Sequence, residues 1–280
     1  MSILLGFVVG VLAVRLFVRV GRDLLRTPAL ERLNHRGRAV PTATGVLAVL
    51  AVLVVEAGRS LFGAFGVGNA PAATPRFAVL LACIGFGMLG LFDDLVGSND
   101  DGGFRGHLRA LISHGRITTG VVKIVGGGAL AVVLVSAGRA GGSGVRVVSD
   151  ALLVALAANL TNLLDRAPGR AIKVGLLAWV PLALVARADS VGVAVAPVVG
   201  AFAGLIGDDL HERLMLGDAG SNVIGAVLGL GVVLECTALT RTVVLVVLGA
   251  LTIASEFISF SRVIERVPPL RGLDELGRGA

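Results

Sequence analysis

Three groups of carboxylate and amide side chains stand at the ends of long apolar runs, where they could do chemistry at a membrane surface. The groups are Asp93–Asp94, Asn159 with Asn162 and Asp165, and Asp218. Carboxylates at the edge of an apolar segment are costly to bury and are usually retained for a function. If the chain brings all three groups to one side of a bilayer, their oxygen atoms can build a single acidic, metal-binding site.

Adjacent carboxylates such as Asp93 and Asp94 repel each other unless a cation or a basic group lies between them. The pair therefore favours either a metal site or one carboxyl with a raised pKa that acts as a base. Basic residues occur nearby in the sequence at Lys123, Arg105 and Arg109. Such an ensemble suits phosphoryl chemistry, in which charge neutralisation and positioning do most of the work. The alternative is that the pair caps a helix and binds loop arginines.

The other two groups also have two explanations each. Asn159, Asn162 and Asp165 are spaced three apart, so they share one helix face. That face could bind a sugar, a uracil or a metal-bound water, or it could pack against a neighbouring helix. Asp218 opens an apolar run, where free backbone N–H groups favour a phosphate. The alternative there is a helix N-cap formed by Asp218 or Ser221.

Composition predicts that these residues are carried by membrane-spanning helices. The chain has 280 residues, of which 55% are hydrophobic and only 16% charged, and it has long unbroken apolar runs. We predict an all-α polytopic membrane protein with a single domain, 1–280, embedded in the lipid bilayer. The nine predicted spans are 2–20, 44–64, 77–92, 119–138, 147–164, 171–186, 190–207, 220–237 and 242–261.

Charge placement orients the predicted spans. One set of connections holds fifteen arginines and the opposite set holds six. Because cytoplasmic loops carry the excess of basic residues, we expect the arginine-rich set to be cytoplasmic, with the N-terminus outside and the protein in the plasma membrane. The net charge of +6 is explained by topology and anionic headgroups, and no aromatic-basic interleaving suggests a nucleic-acid surface. The cytoplasmic segments, which we expect to form the site, are 21–43, 93–118, 165–170, 208–219 and the tail 262–280.

Five motifs in register resemble one known family, the bacterial polyprenyl-phosphate N-acetylhexosamine-1-phosphate transferases (glycosyl transferase family 4), which act in peptidoglycan and other cell-wall synthesis. The resemblance runs from about residue 30 to residue 265. The motifs are Asn34-His35-Arg36-Gly37-Arg38-x-x-Pro41-Thr42-x-x-Gly45, Phe92-Asp93-Asp94-x-x-Gly97, Thr118-Thr119-Gly120 with Lys123, Asn159-x-x-Asn162-x-x-Asp165, and Leu216-Gly217-Asp218-Ala219-Gly220-Ser221.

The resemblance implies a fold of about ten helices and a reaction on the cytoplasmic face that depends on Mg²⁺, with Mn²⁺ as the alternative to it. A polyprenyl phosphate would attack the β-phosphate of a UDP-N-acetylhexosamine, giving a lipid-linked pyrophosphoryl sugar and UMP. The family pattern implies Asp93, Asp94 and Asp218 as catalytic residues, with Asp218 and Asp94 at the metal. It implies substrate-binding roles for Lys123, Asn159, Asn162, Asp165 and Ser221. We also expect Arg166 and Arg266, which depart from the family pattern, to bind substrate phosphates.

Departures from the family pattern motivate an alternative function. Arg166 and Pro168 replace a glycine and an aspartate of the family motif, and the family's histidine-rich motif and last helix have no counterpart here. A catalytically degenerate relative could instead bind lipid phosphate or act as a membrane scaffold. The identity of the UDP-sugar, the prenyl length and the oligomeric state, a homodimer included, stay open.

Overall fold

A computed structural model describes residues 2–34, 36–67, 74–97, 118–138, 143–187 and 189–278 of the chain. Nine long helices occur in these ranges, one for each predicted span. They are α1 Ile3–Gly21, α2 Gly45–Ala64, α3 Thr74–Val96, α4 Thr119–Gly138, α5 Gly144–Leu164, α6 Arg170–Ala186, α7 Ser190–Leu210, α8 Asp218–Glu235 and α9 Ala238–Ser255.

Eight of the nine helices are long and apolar enough to cross a membrane. The exception is α6, which has 17 residues. The prediction of an all-α polytopic membrane protein is confirmed. Three shorter elements complete the described chain: the antiparallel strands β1 Glu31–Leu33 and β2 Ala39–Pro41, and the helices α10 Phe260–Arg266 and α11 Pro268–Glu275.

Several helix boundaries differ from the predicted spans, and the differences have local causes. Helix α3 continues through Asp93 and Asp94 to Val96, so the pair lies on the last helical turn and not in a loop. Helix α9 begins earlier than predicted because the Thr237 side chain accepts a hydrogen bond from the Thr240 amide, which caps the helix. It ends at Ser255, before the polar residue Glu256, and the chain then turns into α10.

The two most buried helices, α7 and α8, lie at the centre of the bundle. Helix α8 packs against α3, α5 and α6, and α7 packs against α1. Small residues allow these helices to approach closely: a Cβ at Gly200 would collide with the backbone of Phe7, and a Cβ at Gly225 would collide with that of Ala157. Glycine at helix contacts is typical of packing in lipid, where van der Waals contact replaces the hydrophobic effect.

The C-terminal helix α11 is held against the start of α6 by a charged clamp. Arg170 donates two parallel hydrogen bonds of 2.8 Å to Asp274, and both side chains are buried. Arg278 adds a second cation 2.7 Å from Asp274, and Lys173 donates to the Asp274 carbonyl at 2.7 Å. Burial raises the pKa of Asp274, but the hydrogen bond and charge of Arg170 and the charge of Arg278 outweigh it and hold the pKa below its usual range.

We predict that Asp274→Ala releases α10 and α11 from the bundle. Removing one partner of a buried ion pair leaves the Arg170 guanidinium uncompensated, which costs about 3–5 kcal/mol. Trypsin should then cleave at Arg262, Arg266 and Arg271 much faster than in the unaltered protein. Glu275→Ala is the control, because Glu275 pairs with Arg271 in an exposed position. Equal cleavage rates in the two variants would contradict the clamp.

Candidate active site

Lys123 joins two of the predicted acidic groups. Its ammonium nitrogen lies 3.0 Å from Oδ2 of Asp93 on α3 and also donates to Oδ2 of Asp218 on α8. The three side chains are about one-fifth to one-quarter exposed, so water and small solutes can reach them. Residues 93, 123 and 218 therefore form one charged cluster, although they come from three different helices.

Asn162 binds the other oxygen of Asp218. Its amide nitrogen donates to Asp218 Oδ1 at 2.6 Å and to the Ser221 hydroxyl at 3.1 Å. The Ser221 hydroxyl donates in turn to the carbonyl of Gly217 at 3.1 Å. Asp218 is thus held from both sides, by the cation of Lys123 and by the amide of Asn162.

Asp94 points away from Lys123 and binds the start of α8. Its two carboxylate oxygens accept the backbone N–H groups of Asp218 at 3.0 Å and Ala219 at 2.9 Å. These amides are among the four at a helix start that lack partners within the helix, and the helix dipole also favours a negative charge there. Asp94 therefore caps a helix other than its own. This cap fixes the position of α8 relative to α3, so that Asp218 lies beside Lys123.

Two glycines make this approach of α3 to α8 possible. A Cβ at Gly90 would collide with the Asp218 carbonyl, and a Cβ at Gly217 would lie 2.8 Å from the Asp94 carboxylate. Gly217 also has a φ of +71°, in the left-handed region that favours glycine.

The first loop, which connects α1 to α2, is attached to the same end of the bundle by backbone hydrogen bonds. The Met215 amide donates to the Pro41 carbonyl at 2.8 Å, and the Gly45 amide donates to the Leu216 carbonyl at 3.1 Å. Arg32, on β1, donates to the Asp94 carbonyl at 2.7 Å. The hairpin β1–β2 therefore lies beside the cluster.

Asp209 is a site residue that the sequence analysis missed. This buried carboxylate accepts the Gly169 amide at 2.7 Å and the Leu216 amide at 3.2 Å, so it joins the segments that follow α5 and α7. The feature that could have found it is the pair Asp208–Asp209 at the end of an apolar run. It is the same pattern that drew attention to Asp93–Asp94.

Asp165 is the first residue after α5 and lies partly buried near the cluster. Burial raises its pKa well above the ordinary value, and the negative charges of Asp209, Asp218 and Asp94 raise it further. A carboxyl group whose pKa is raised keeps its proton to higher pH, and in the protonated form it can donate a hydrogen bond to a ligand.

Three predicted site residues are exposed. Asn159, one turn before Asn162, has an exposed side chain, and Arg166 is exposed beside Asp165. Arg266 is the exposed last residue of α10. The basic residues Arg105 and Arg109, and His35 of the first motif, lie outside the described residues. The structure therefore brings together Asp93, Asp94, Lys123, Asn162, Asp218 and Ser221, with Asp165 adjacent.

The carboxylates of the cluster are compatible with magnesium. Among the described residues, no group of three His, Cys, Asp or Glu side chains forms a complete metal site. Asp93 and Asp218 face a shared cation, the ammonium of Lys123. Mg²⁺ is commonly bound by one or two carboxylates together with substrate phosphates and water. These two carboxylates meet that requirement, whereas both oxygens of Asp94 already accept backbone hydrogen bonds.

A comparison with curated proteins found one similarity that bears on this geometry. The chain is 30% identical over 213 residues to a phospho-N-acetylmuramoyl-pentapeptide-transferase of Deinococcus radiodurans. The chain is similar to a transferase. The alignment covers 67% of this chain and 59% of the relative, so the chain spans well under two thirds of the relative's length. No protein-family model matches the sequence.

We predict that Asp94→Ala destabilises the protein more than Asp93→Ala does. Loss of a helix cap costs about 0.5–2 kcal/mol, and the two amides at the start of α8 would lose their acceptor. In Asp93→Ala, Lys123 keeps its pairing with Asp218. The midpoint of thermal unfolding in detergent should therefore fall further for Asp94→Ala. A larger loss in Asp93→Ala would contradict the capping role.

Asp165→Asn should stabilise the protein at alkaline pH and have little effect at acid pH. As the pH rises above the ordinary Asp pKa, about 3.9, the unfolded chain loses this proton first, and folding stability falls until the folded group ionises as well. The amide mimics the neutral carboxyl and removes that loss. Melting midpoints at pH 4 and pH 8 test the prediction, with the exposed Asp23→Asn as control. A midpoint change of equal size at both pH values would contradict it.

Proposed function

We propose that this chain is a membrane sugar-1-phosphate transferase of the polyprenyl-phosphate N-acetylhexosamine-1-phosphate transferase family. It would transfer N-acetylhexosamine-1-phosphate from a UDP-sugar to polyprenyl phosphate for cell-envelope glycan synthesis, with its site on the cytoplasmic face. The observation that carries the proposal is the cluster of Asp93, Lys123, Asn162 and Asp218 at one end of an apolar bundle. The similarity to a named transferase over two thirds of the chain supports it.

The main difficulty of this reaction is the mutual repulsion of two anions. A phosphate monoester has a second pKa of about 6, so the acceptor is mostly a dianion at neutral pH and needs little help from a base. What the site must supply is positive charge and alignment. Lys123 provides one positive charge, held by Asp93 and Asp218 at a fixed position.

The reaction forms one phosphorus–oxygen bond and breaks another. An oxygen of the lipid phosphate forms a bond to the β-phosphorus of the UDP-sugar, and the bond from that phosphorus to the bridging oxygen breaks. The bridging oxygen leaves on UMP with the electron pair, and the sugar phosphate becomes part of a lipid pyrophosphate. In this assignment Asn162 and Asp165 orient the donor, and the exposed Arg166 and Arg266 contact its phosphates.

The residues that would hold Mg²⁺ are Asp218 and Asp93. When bound, the ion would neutralise phosphate oxygens and stabilise the charge that develops on the leaving oxygen. Lys123 would then turn from the carboxylates toward a phosphate. Asp94, predicted as a metal ligand, is given a positioning role in this proposal, because its oxygens cap α8.

The assay uses the purified full chain in detergent with undecaprenyl phosphate, Mg²⁺ and either UDP-GlcNAc or UDP-MurNAc-pentapeptide. We expect a lipid-linked pyrophosphoryl sugar and UMP in equal amounts with one of the donors. Asp218→Asn and Lys123→Met should each lower turnover by about 100-fold or more, the loss typical of removing one electrostatic contact to a transition state. Glu275→Gln, in an exposed pair, is the control. Full turnover in Asp218→Asn would contradict the proposal.

A non-catalytic scaffold or lipid-phosphate-binding protein is the second candidate, and the clamp at α11 favours it. Arg170 and Lys173 are cations near the site, yet both are bound to the C-terminal segment. Mg²⁺-dependent binding of UDP-sugar, measured by calorimetry, separates the two candidates. A transferase must bind the donor, whereas a scaffold need not.

A further inference from the structure

A second group of charged side chains lies within the bundle, far from the candidate active site. Glu56 on α2 is buried and contacts two arginines. Arg76, on α3, donates from Nε to Glu56 Oε2 at 2.8 Å, and its Nη2 lies 2.6 Å from the same oxygen. Arg59, one turn along α2, donates to Glu56 Oε1. One carboxylate is therefore shared by two guanidinium groups.

The formal charge of this triad is +1. The chain from 65 to 73, which connects α2 to α3, has no acidic residue in its sequence. On the neighbouring helix α7, Arg59 reaches the Val193 carbonyl at 3.4 Å, while the Asp189 carboxylate accepts the amides that start that helix. A net charge inside an apolar bundle is costly unless an anion compensates it.

A cavity of about 130 Å³ adjoins the triad between α2 and α3. A volume of this size exceeds that of a single water and admits a group of several heavy atoms. Its walls are apolar apart from Glu56, Ser60 and Arg76, and Leu53, Ala57, Phe77 and Leu80 complete them. Leu53 and Phe77 are exposed on the surface of the bundle, so the cavity opens toward lipid.

Arg76 and Arg59 can supply further donors to an anion. Arg76 is buried, and its Nη2 atom lies 2.6 Å from Glu56 Oε2 without the alignment of a hydrogen bond. Guanidinium groups bind phosphate through planar pairs of N–H donors. Arg76 and Arg59 together offer more donors than the two oxygens of Glu56 can accept.

The triad lies at the opposite end of the membrane span from the Lys123 cluster. Arg76 and Asp93 are 17 positions apart on α3. At 1.5 Å per residue this is about 26 Å, close to the thickness of a hydrocarbon core. The triad therefore faces the other leaflet and cannot contact the reacting groups of the proposed function.

We propose that the groove formed by Glu56, Arg59, Arg76 and the adjoining cavity binds the anionic headgroup of a phospholipid in the leaflet opposite the candidate active site. The phosphate would balance the excess positive charge of the two arginines. The acyl chains would run along Leu53, Phe77 and Leu80 on the lipid-facing surface.

The test counts lipids retained by the purified full chain in native mass spectrometry after incubation with phosphatidylglycerol or phosphatidylcholine. We expect preferential retention of phosphatidylglycerol. Arg59→Gln should lower that retention about fivefold, since one basic residue near an anionic headgroup is worth about 1 kcal/mol. Arg146→Gln, which removes a positive charge from the start of α5 at the same end, is the control and should retain the lipid.

A second variant tests the groove without changing its charge. Ala57→Leu fills the cavity, keeps a good helix former and leaves the three charged side chains in place. It should also reduce retention of phosphatidylglycerol, and it decides the matter if Arg59→Gln does not fold. Excess inorganic phosphate should not displace the lipid, because it lacks the apolar contacts. Equal retention of the two lipids, unchanged retention in Ala57→Leu, or displacement by phosphate would overturn the proposal.

Discussion

The hydrogen bonds from the start of α8 to Asp94 are the interaction on which the site depends. The first four amides of a helix have no partners within it, and those that pack against another helix are shielded from water. Asp94 supplies an acceptor for two of these amides from α3. In doing so it fixes α3 against α8, requires glycine at positions 90 and 217, and places the Asp218 carboxylate within reach of Lys123 and Asn162.

The backbone around this contact is also held by the first loop. Ala43 is buried with a φ of +60°, a conformation that non-glycine residues rarely adopt. It persists because Pro41, Thr44 and Gly45 on either side are hydrogen-bonded to Met215 and Leu216. The loop therefore stores strain next to Gly217, and rigid backbone at this place keeps the neighbouring carboxylates from relaxing apart. A site built to hold like charges close together needs such support.

Hydropathy predicted the nine long helices because a run of apolar residues has one low-energy solution in lipid, a helix with all its backbone groups paired. Loop charge and helix parity also predicted that Asp93, Asp165 and Asp218 would meet at one end. The role of Asp94 could not be predicted in this way, since which amides it binds depends on how α3 packs against α8. Asp209 was missed for a similar reason. It accepts hydrogen bonds from the amides of Gly169 and Leu216, and only the fold brings these amides to its side chain.

Two buried carboxylates elsewhere in the bundle each pair with an arginine of another helix. Asp150 on α5 pairs with Arg241 on α9, and Asp208 on α7 pairs with Arg15 on α1. Such pairs add little net stability but are strongly destabilising when one partner is lost, so they fix which helices can be neighbours. The triad at Glu56 combines two arginines on one carboxylate with an adjoining cavity that opens toward lipid, and this combination is the ground for proposing an anionic ligand there.

The same balance of charge determines where an anionic substrate would be held at the opposite end. Arg170 and Lys173 already donate to the Asp274 carboxylate and to carbonyls of α11, so their N–H groups are engaged within the protein. Exposed arginines at that end include Arg166, Arg213 and Arg266, whereas Lys123 lies between two carboxylates. A pyrophosphate donor would therefore meet the exposed arginines first. It would reach Lys123 only in company with a divalent cation that takes over Asp93 and Asp218, and this coupling makes metal and donor binding depend on each other.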